Sequence, residues 1–196
     1  MIEANISYLI FDTETTGLPK NWKAPVTDLN NWPRLVQIAW MQCDISGNIL
    51  SSSNYIVKPL DFIIPERAVK IHGISTEMAK NEGVALNTVL NEFSTAISRS
   101  SFLIAHNMAF DVNIVGAEFL REKIESRLFS IPKICTMEMS TDHCRIPGSY
   151  GYKWPSLSEL YFTLFDKDFE EAHDAVVDVK ACAECFFRLK KEGVLK

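Results

Sequence analysis

The chain has 196 residues, 47% of them hydrophobic, and a formal charge of −5. That length supports one domain, 1–196, with a full core, and the acidic balance argues against a protein that grips nucleic acid by a broad basic surface. It leaves room for an enzyme whose acids carry cations, since two bound divalent ions would bring −5 to −1. No stretch is apolar enough to span a bilayer, and "MIEANISYLIFD" has neither a basic region nor a cleavage site, so no signal peptide and no membrane association are expected. Five cysteines, Cys43, Cys135, Cys144, Cys182 and Cys185, form an odd set at no framework spacing, which fits a reducing cytoplasm. The C-x-x-C of Cys182 and Cys185 lacks the second pair that zinc requires and reads as buried helix cysteines.

In chain order, residues 6–12, with the apolar run "YLIF", read as a first strand. Arg34 to Asp44 and Ile49 to Pro59 read as strands two and three, joined by the turn "ISGN" into an antiparallel hairpin. Pro65 and Gly73 bracket a short helix. Residues 85–98 form an amphipathic helix, and Ser101 to Asn107 a fourth strand followed by a helix from about Ala109 to Lys123. Ile131 to Thr136 is a short fifth strand. Ser156 and Glu159 make a capping box that opens another helix, and the last helix runs from about Asp174 to Lys191. Strands one, four and five alternate with helices and should be parallel, giving an α/β fold. Leu18 to Pro33 and Asp142 to Pro155 stay irregular and mix Trp or Tyr with Lys or Arg. Aromatics packing on the surface is the favoured reading of both, ahead of base stacking.

The chemistry begins at "DTETTG". Side chains alternate along a strand, so Asp12 and Glu14 share a face about 7 Å apart; on these two residues alone they are either solvated acids at a strand end before the Gly17-Leu18-Pro19 turn or a pair meant to hold a cation between them. Asp111 sits on a helical stripe with Val115 and Phe119, and Asp178 on one with Cys182, Cys185 and Leu189. The helix dipole explains an acid near a helix start but not its inward face. Four such acids suggest one cluster at one edge of the sheet. His173 stands in the turn before the last helix, with Asp174 as its N-cap. Beside a metal–carboxylate cluster, an imidazole of unperturbed pKa near ~6.5 can take a proton from water.

These residues resemble the DEDDh exonuclease family. "FDTETTGL" matches its first motif with Asp12 and Glu14, "AHNMAFD" its second with Asp111, and "HDAVVDV" its third with His173 and Asp178. "KIHGI" looks like the segment around a histidine that lines the substrate pocket, here His72; the resemblance puts it at a strand end, whereas Pro65 and Gly73 point to a helix. The resemblance implies a ribonuclease-H-like α/β fold: a mixed five-stranded sheet, order 3-2-1-4-5, strand two antiparallel, with helices on both faces. It also implies two Mg²⁺ or Mn²⁺ ions and removal of nucleoside 5′-monophosphates from 3′ ends. Asp12 would bridge both ions, Glu14 and Asp178 would hold the first, Asp111 would support the second, and His173 would be the general base. Thr13, Thr15, Thr16, Gly17, His72 and Asn107 would meet the terminal nucleotide. Single-stranded DNA 3′ ends are the expected partner, in proofreading or repair, with a polymerase or repair partner unspecified. RNA trimming by the same chemistry is the alternative, and an inactive binding module a more distant one. Two features depart from the family pattern: no tail follows "KKEGVLK" and the Leu18 to Pro33 segment is long, which favours a stand-alone enzyme or a proofreader held by other surfaces. Glu66, six residues before His72, has no secure counterpart.

Overall fold

The computed structural model describes residues 6–168 and 174–195. The elements run in the order β1 (Ser7–Thr15), β2 (Leu35–Asp44), β3 (Ile49–Ile56), α1 (Glu66–His72), α2 (Thr76–Glu82), α3 (Leu86–Ser98), β4 (Phe102–Ala105) and α4 (Met108–Glu122). They continue with β5 (Lys133–Cys135), α5 (Thr136–Met139), α6 (Thr141–Cys144), β6 (Pro147–Gly148), β7 (Gly151–Tyr152), α7 (Leu157–Phe165) and α8 (Ala175–Lys191). Five strands form one sheet in the order β3-β2-β1-β4-β5. β1 and β2 pair antiparallel, as do β2 and β3, while β4 runs parallel to β1 and β5 parallel to β4. The expected sheet is therefore the observed one.

The centre of the sheet is buried on both faces, which is why its strand reads as an unbroken apolar run. Leu9 and Phe11 of β1 pack with Trp40 and Leu103 against α3 and α4, through Phe93, Ile97, Val112 and Val115. Tyr8 and Ile10 pack the opposite way, with Met41 and Ile104, against Leu160 of α7 and Val179, Cys182 and Phe186 of α8. Cys182 and Cys185 are buried free thiols, as the sequence reading expected.

This alternation positions the acids. β1 does not stop at residue 12; it continues to Thr15, with Asp12 opposite Ala39 and Glu14 opposite Gln37. Asp12 and Glu14 keep the parity of Tyr8 and Ile10 and so belong to the α8 side, while Thr13 keeps that of Leu9 and Phe11 and belongs to the α4 side. The register then shifts, Thr15 pairing with Leu35, so that the strand bends where the acids end.

"KIHGI" is helical to His72, and Gly73 takes a φ of 77° as its cap, which settles that stretch for the helix. The irregular reading of Asp142 to Pro155 is corrected in part: α6 extends into this region as far as Cys144, and β6 and β7 pair as a small hairpin. The fourth strand ends at Ala105, because Asn107 adopts a left-handed φ of 67° and turns the chain into α4. Among the described residues no helix is long and apolar enough to cross a membrane.

Candidate active site

Three elements deliver four carboxylates to one cavity. β1 brings Asp12 and Glu14, α4 brings Asp111 in its first turn, and α8 brings Asp178 in its first turn. One oxygen from each of Asp12, Glu14 and Asp178 lies within 4.8 Å of the others. Asp111 approaches from the other face of β1, where its Oδ1 accepts a hydrogen bond of 2.7 Å from Thr13 Oγ1. Thr13 is itself buried, so its hydroxyl serves to orient Asp111. Asp174 caps α8 by accepting from Val176 N at 2.8 Å, as expected.

The electrostatics are unfavourable for four bare charges. Burial, followed by repulsion from Asp111, Asp178, Glu14 and Asp174, pushes the Asp12 carboxyl well above the ordinary range. Burial and then Asp178, Asp111 and Asp174 push Glu14 up to about 8. Burial raises Asp111 to about 7 against the opposing hydrogen bonds from Thr13. Among the described residues no lysine or arginine forms an ion pair with Asp12, Glu14 or Asp111. A donor set of hard carboxylate oxygens, three of the four without an ion pair to lysine or arginine among the described residues, matches the chemistry of a hard divalent cation.

The remaining sequence-derived candidates separate into groups. Asn107 lines the carboxylate cavity. Thr15, Gly17 and His72 line a neighbouring cavity of about 580 Å³, together with Arg67, Leu18 and Phe110. Thr13, Glu14, Leu18 and Phe110 line both. The Thr15 hydroxyl is taken up locally, donating to Gly17 O at 2.6 Å. Thr16 lines neither cavity; its Oγ1 accepts from Arg34 N at 3.0 Å and its amide donates to Arg34 O, which ties β1 to the start of β2. His72 Nδ1 accepts from Ile74 N at 3.1 Å. His173 lies outside the described residues.

One cavity residue escaped the sequence reading. His106 lines the carboxylate cavity beside Asn107, and burial lowers its pKa to about 4, so the ring is neutral. Its Nε2 donates to Pro155 O at 3.0 Å, which leaves Nδ1 to accept from Thr136 Oγ1 at 3.0 Å. The ring thereby ties the end of β4 to the start of α5 and to the chain entering α7. The "AHN" triplet was a usable signal, but a histidine bonded through partners 30 and 49 residues away is not legible from its neighbours.

The family model described as exonuclease, of the RNase T type, matches residues 9–186. The DNA polymerase III subunit epsilon of Rickettsia prowazekii (strain Madrid E) is 28% identical over 193 residues, which cover 95% of this chain and 75% of the relative. That of Treponema pallidum (strain Nichols) is 29% identical over 185 residues, covering 94% of this chain and 77% of the relative. Among solved structures, E. coli exonuclease I in complex with a dT13 oligonucleotide superposes with a TM-score of 0.74 at 19% identity. That likeness in fold covers 95% of this chain and 41% of the other, so the chain spans about two fifths of that enzyme's length.

Proposed function

The chain belongs to the exonuclease family whose model it matches, and from that premise we propose that it hydrolyses single-stranded DNA from the 3′ end, releasing nucleoside 5′-monophosphates with the help of two Mg²⁺ or Mn²⁺ ions. The observation that carries this reading is the convergence of Asp12, Glu14, Asp111 and Asp178, their repulsion relieved by no lysine or arginine at the first three. Asp12, Glu14 and Asp178 would hold one ion, and Asp12 with Asp111 would hold the second. Bound divalent cations supply charge neutralisation at the phosphate, a more acidic water and stabilisation of the leaving oxygen.

The chain's own residues have distinct tasks. Thr13 fixes the rotation of Asp111 through its hydrogen bond. The cavity of about 580 Å³, lined by Arg67, His72, Leu18 and Phe110 among others, takes the terminal nucleotide. Glu14 borders both cavities, which sets the scissile phosphate at their junction. His173, one residue before the Asp174 cap in the sequence, takes the proton of the attacking water. Choice of sugar is supported by the relatives, two of them named DNA polymerase III subunit epsilon and one an exonuclease I in complex with a dT13 oligonucleotide, and polarity by the resemblance of the three acid-bearing motifs to the DEDDh family. The epsilon names support work beside a polymerase, and five free cysteines fit a reducing cytoplasm.

The test is release of labelled mononucleotide from matched single-stranded DNA and RNA in Mg²⁺ and in Mn²⁺. Faster release from DNA is expected. Release from RNA alone would replace the substrate with RNA, and no release from either would overturn the reading.

A further inference from the structure

Residues 18–33 join β1 to β2 without helix or strand, yet they are held firmly. Asn31 is buried and clasps the opposite limb of the loop: its Oδ1 accepts from Asn21 N at 2.7 Å and its Nδ2 donates to Asn21 O at 3.0 Å. Trp32, also buried, donates through Nε1 to Pro25 O at 3.0 Å. Arg121 of α4 donates through Nη2 to Leu29 O at 2.6 Å and Trp32 O at 2.8 Å. The loop is therefore pinned to itself and to the helix that carries Asp111. A surface held in this way loses little conformational entropy when a ligand lands on it.

Immediately after the clasped Asn21 stands Trp22. Unlike Trp32, it is 54% exposed. Its ring lies 5.7 Å from that of Phe110, tilted by 41°, so its position is set by a side chain of α4 as well as by the loop. Trp22 lines the carboxylate cavity with Asp12, Glu14, Asp111 and Asp178, but not the neighbouring cavity of Gly17, Arg67 and His72. Phe110 lines both. Lys20 and Lys23, flanking Trp22 in the loop, are exposed cations in a chain of net charge −5.

We propose that Trp22 is the stacking platform for the base of the second nucleotide from the 3′ end, and that it thereby selects an unpaired strand. This rests on the proposed assignment of the terminal nucleotide to the cavity of Gly17, Arg67 and His72. With that nucleotide seated and its phosphate at the carboxylates, the chain must leave along the carboxylate cavity, and the next base emerges beside the indole. Every base has a π-face, so such a platform tolerates any sequence, and a base must leave its partner to use it. Lys20 and Lys23 would meet the phosphates beyond.

The experiment compares single-stranded oligothymidylate with the same strand lacking the base at the second position, for the wild type, Trp22→Ala and Trp22→Phe, in Mg²⁺. In the wild type, loss of that base should raise KM by about 5- to 150-fold, the span of one base–aromatic stack, with kcat little changed. Trp22→Ala should hydrolyse both strands with the same raised KM, and Trp22→Phe should recover part of the discrimination. An unchanged penalty in Trp22→Ala, with both proteins hydrolysing the intact strand, would overturn the role of Trp22 and leave the exonuclease reading standing. No hydrolysis by the wild type would overturn the exonuclease reading and this proposal together.

Discussion

Asp12 and Glu14 occupy the same face of a strand because each lies an even number of residues from the buried Ile10, and the fold has to live with the repulsion. The consequence is measurable without substrate. Glu14 keeps its proton in the folded state up to about pH 8 against an ordinary value of 4.5, and Asp111 up to about 7 against 3.8. Between those limits the folded chain binds more protons than the unfolded chain, so the stability these groups lend below the lower limit is lost as pH rises through the upper one. Chelator-treated protein should therefore melt at a lower temperature at pH 8 than at pH 5, and Mg²⁺ or Mn²⁺ should recover more at pH 8, since a cation binds the ionised cluster. Melting curves at both pH values check this; a metal-free melting temperature that rises with pH would contradict it. Asp12→Asn should raise the metal-free melting temperature at pH 8 and lose the response to metal. Another expectation concerns His173. Its replacement by alanine should cost on the order of 10²–10⁴ in rate at every pH tested while metal-induced stabilisation persists. Steady-state rates from pH 5.5 to 8 decide it.

Helix α4 shows why the cluster differs from an ordinary buried acid. It carries two buried carboxylates, Asp111 and Glu118, on one face two turns apart. Glu118, 0% exposed, accepts hydrogen bonds at Oε1 from Arg34 Nε at 2.9 Å and Leu35 N at 3.0 Å, and the same oxygen forms an ion pair with Arg121 Nη1 at 3.0 Å. Asp111 has a threonine and, among the described residues, no lysine or arginine paired with it. Glu118 is a structural joint between α4 and the start of β2; Asp111, in the proposed reading, is the one that serves a cation. Glu118→Ala removes the partner of two largely buried guanidinium groups and should destabilise the chain by about 3–5 kcal/mol, measured by urea unfolding. A change below about 1 kcal/mol would mean that the joint carries no weight. The elements themselves were readable where one rule sufficed. "YLIF" is apolar because its strand is covered on both sides, and the stripe of Val179, Cys182 and Phe186 marks the face α8 buries. The three acid-bearing motifs could be ordered into a site because each sits at a strand end or helix start. Glu118 was not legible as a joint, since Arg34 lies 84 residues away and nothing local marks it. The conformation of residues 18–33 was hidden for the same reason: its pins are an asparagine clasp and Arg121, both of which act across the fold. Trp22 and Trp32 look alike in sequence; one packs inside, and the other is presented at the cavity.

Seen whole, the molecule divides its labour between the two layers that flank the sheet. The layer of α3 and α4 carries Asp111 and braces the long loop, and the layer of α7 and α8 carries Asp178. β1 runs between them and contributes two acids, so neither layer holds the cluster alone. An acidic chain that acts on a polyanion needs its cations at one point, and bound metal supplies them there. The decisive measurement follows a 5′-labelled single strand of DNA with time, in Mg²⁺, in chelator, and in Mg²⁺ with Asp12→Asn. The expected result is a ladder that shortens one nucleotide at a time with the 5′ label retained, in the first condition alone. Shortening that continues in chelator or in Asp12→Asn, or a few fixed internal fragments in place of a ladder, would contradict the assignment of these carboxylates to metal-dependent cleavage from the 3′ end.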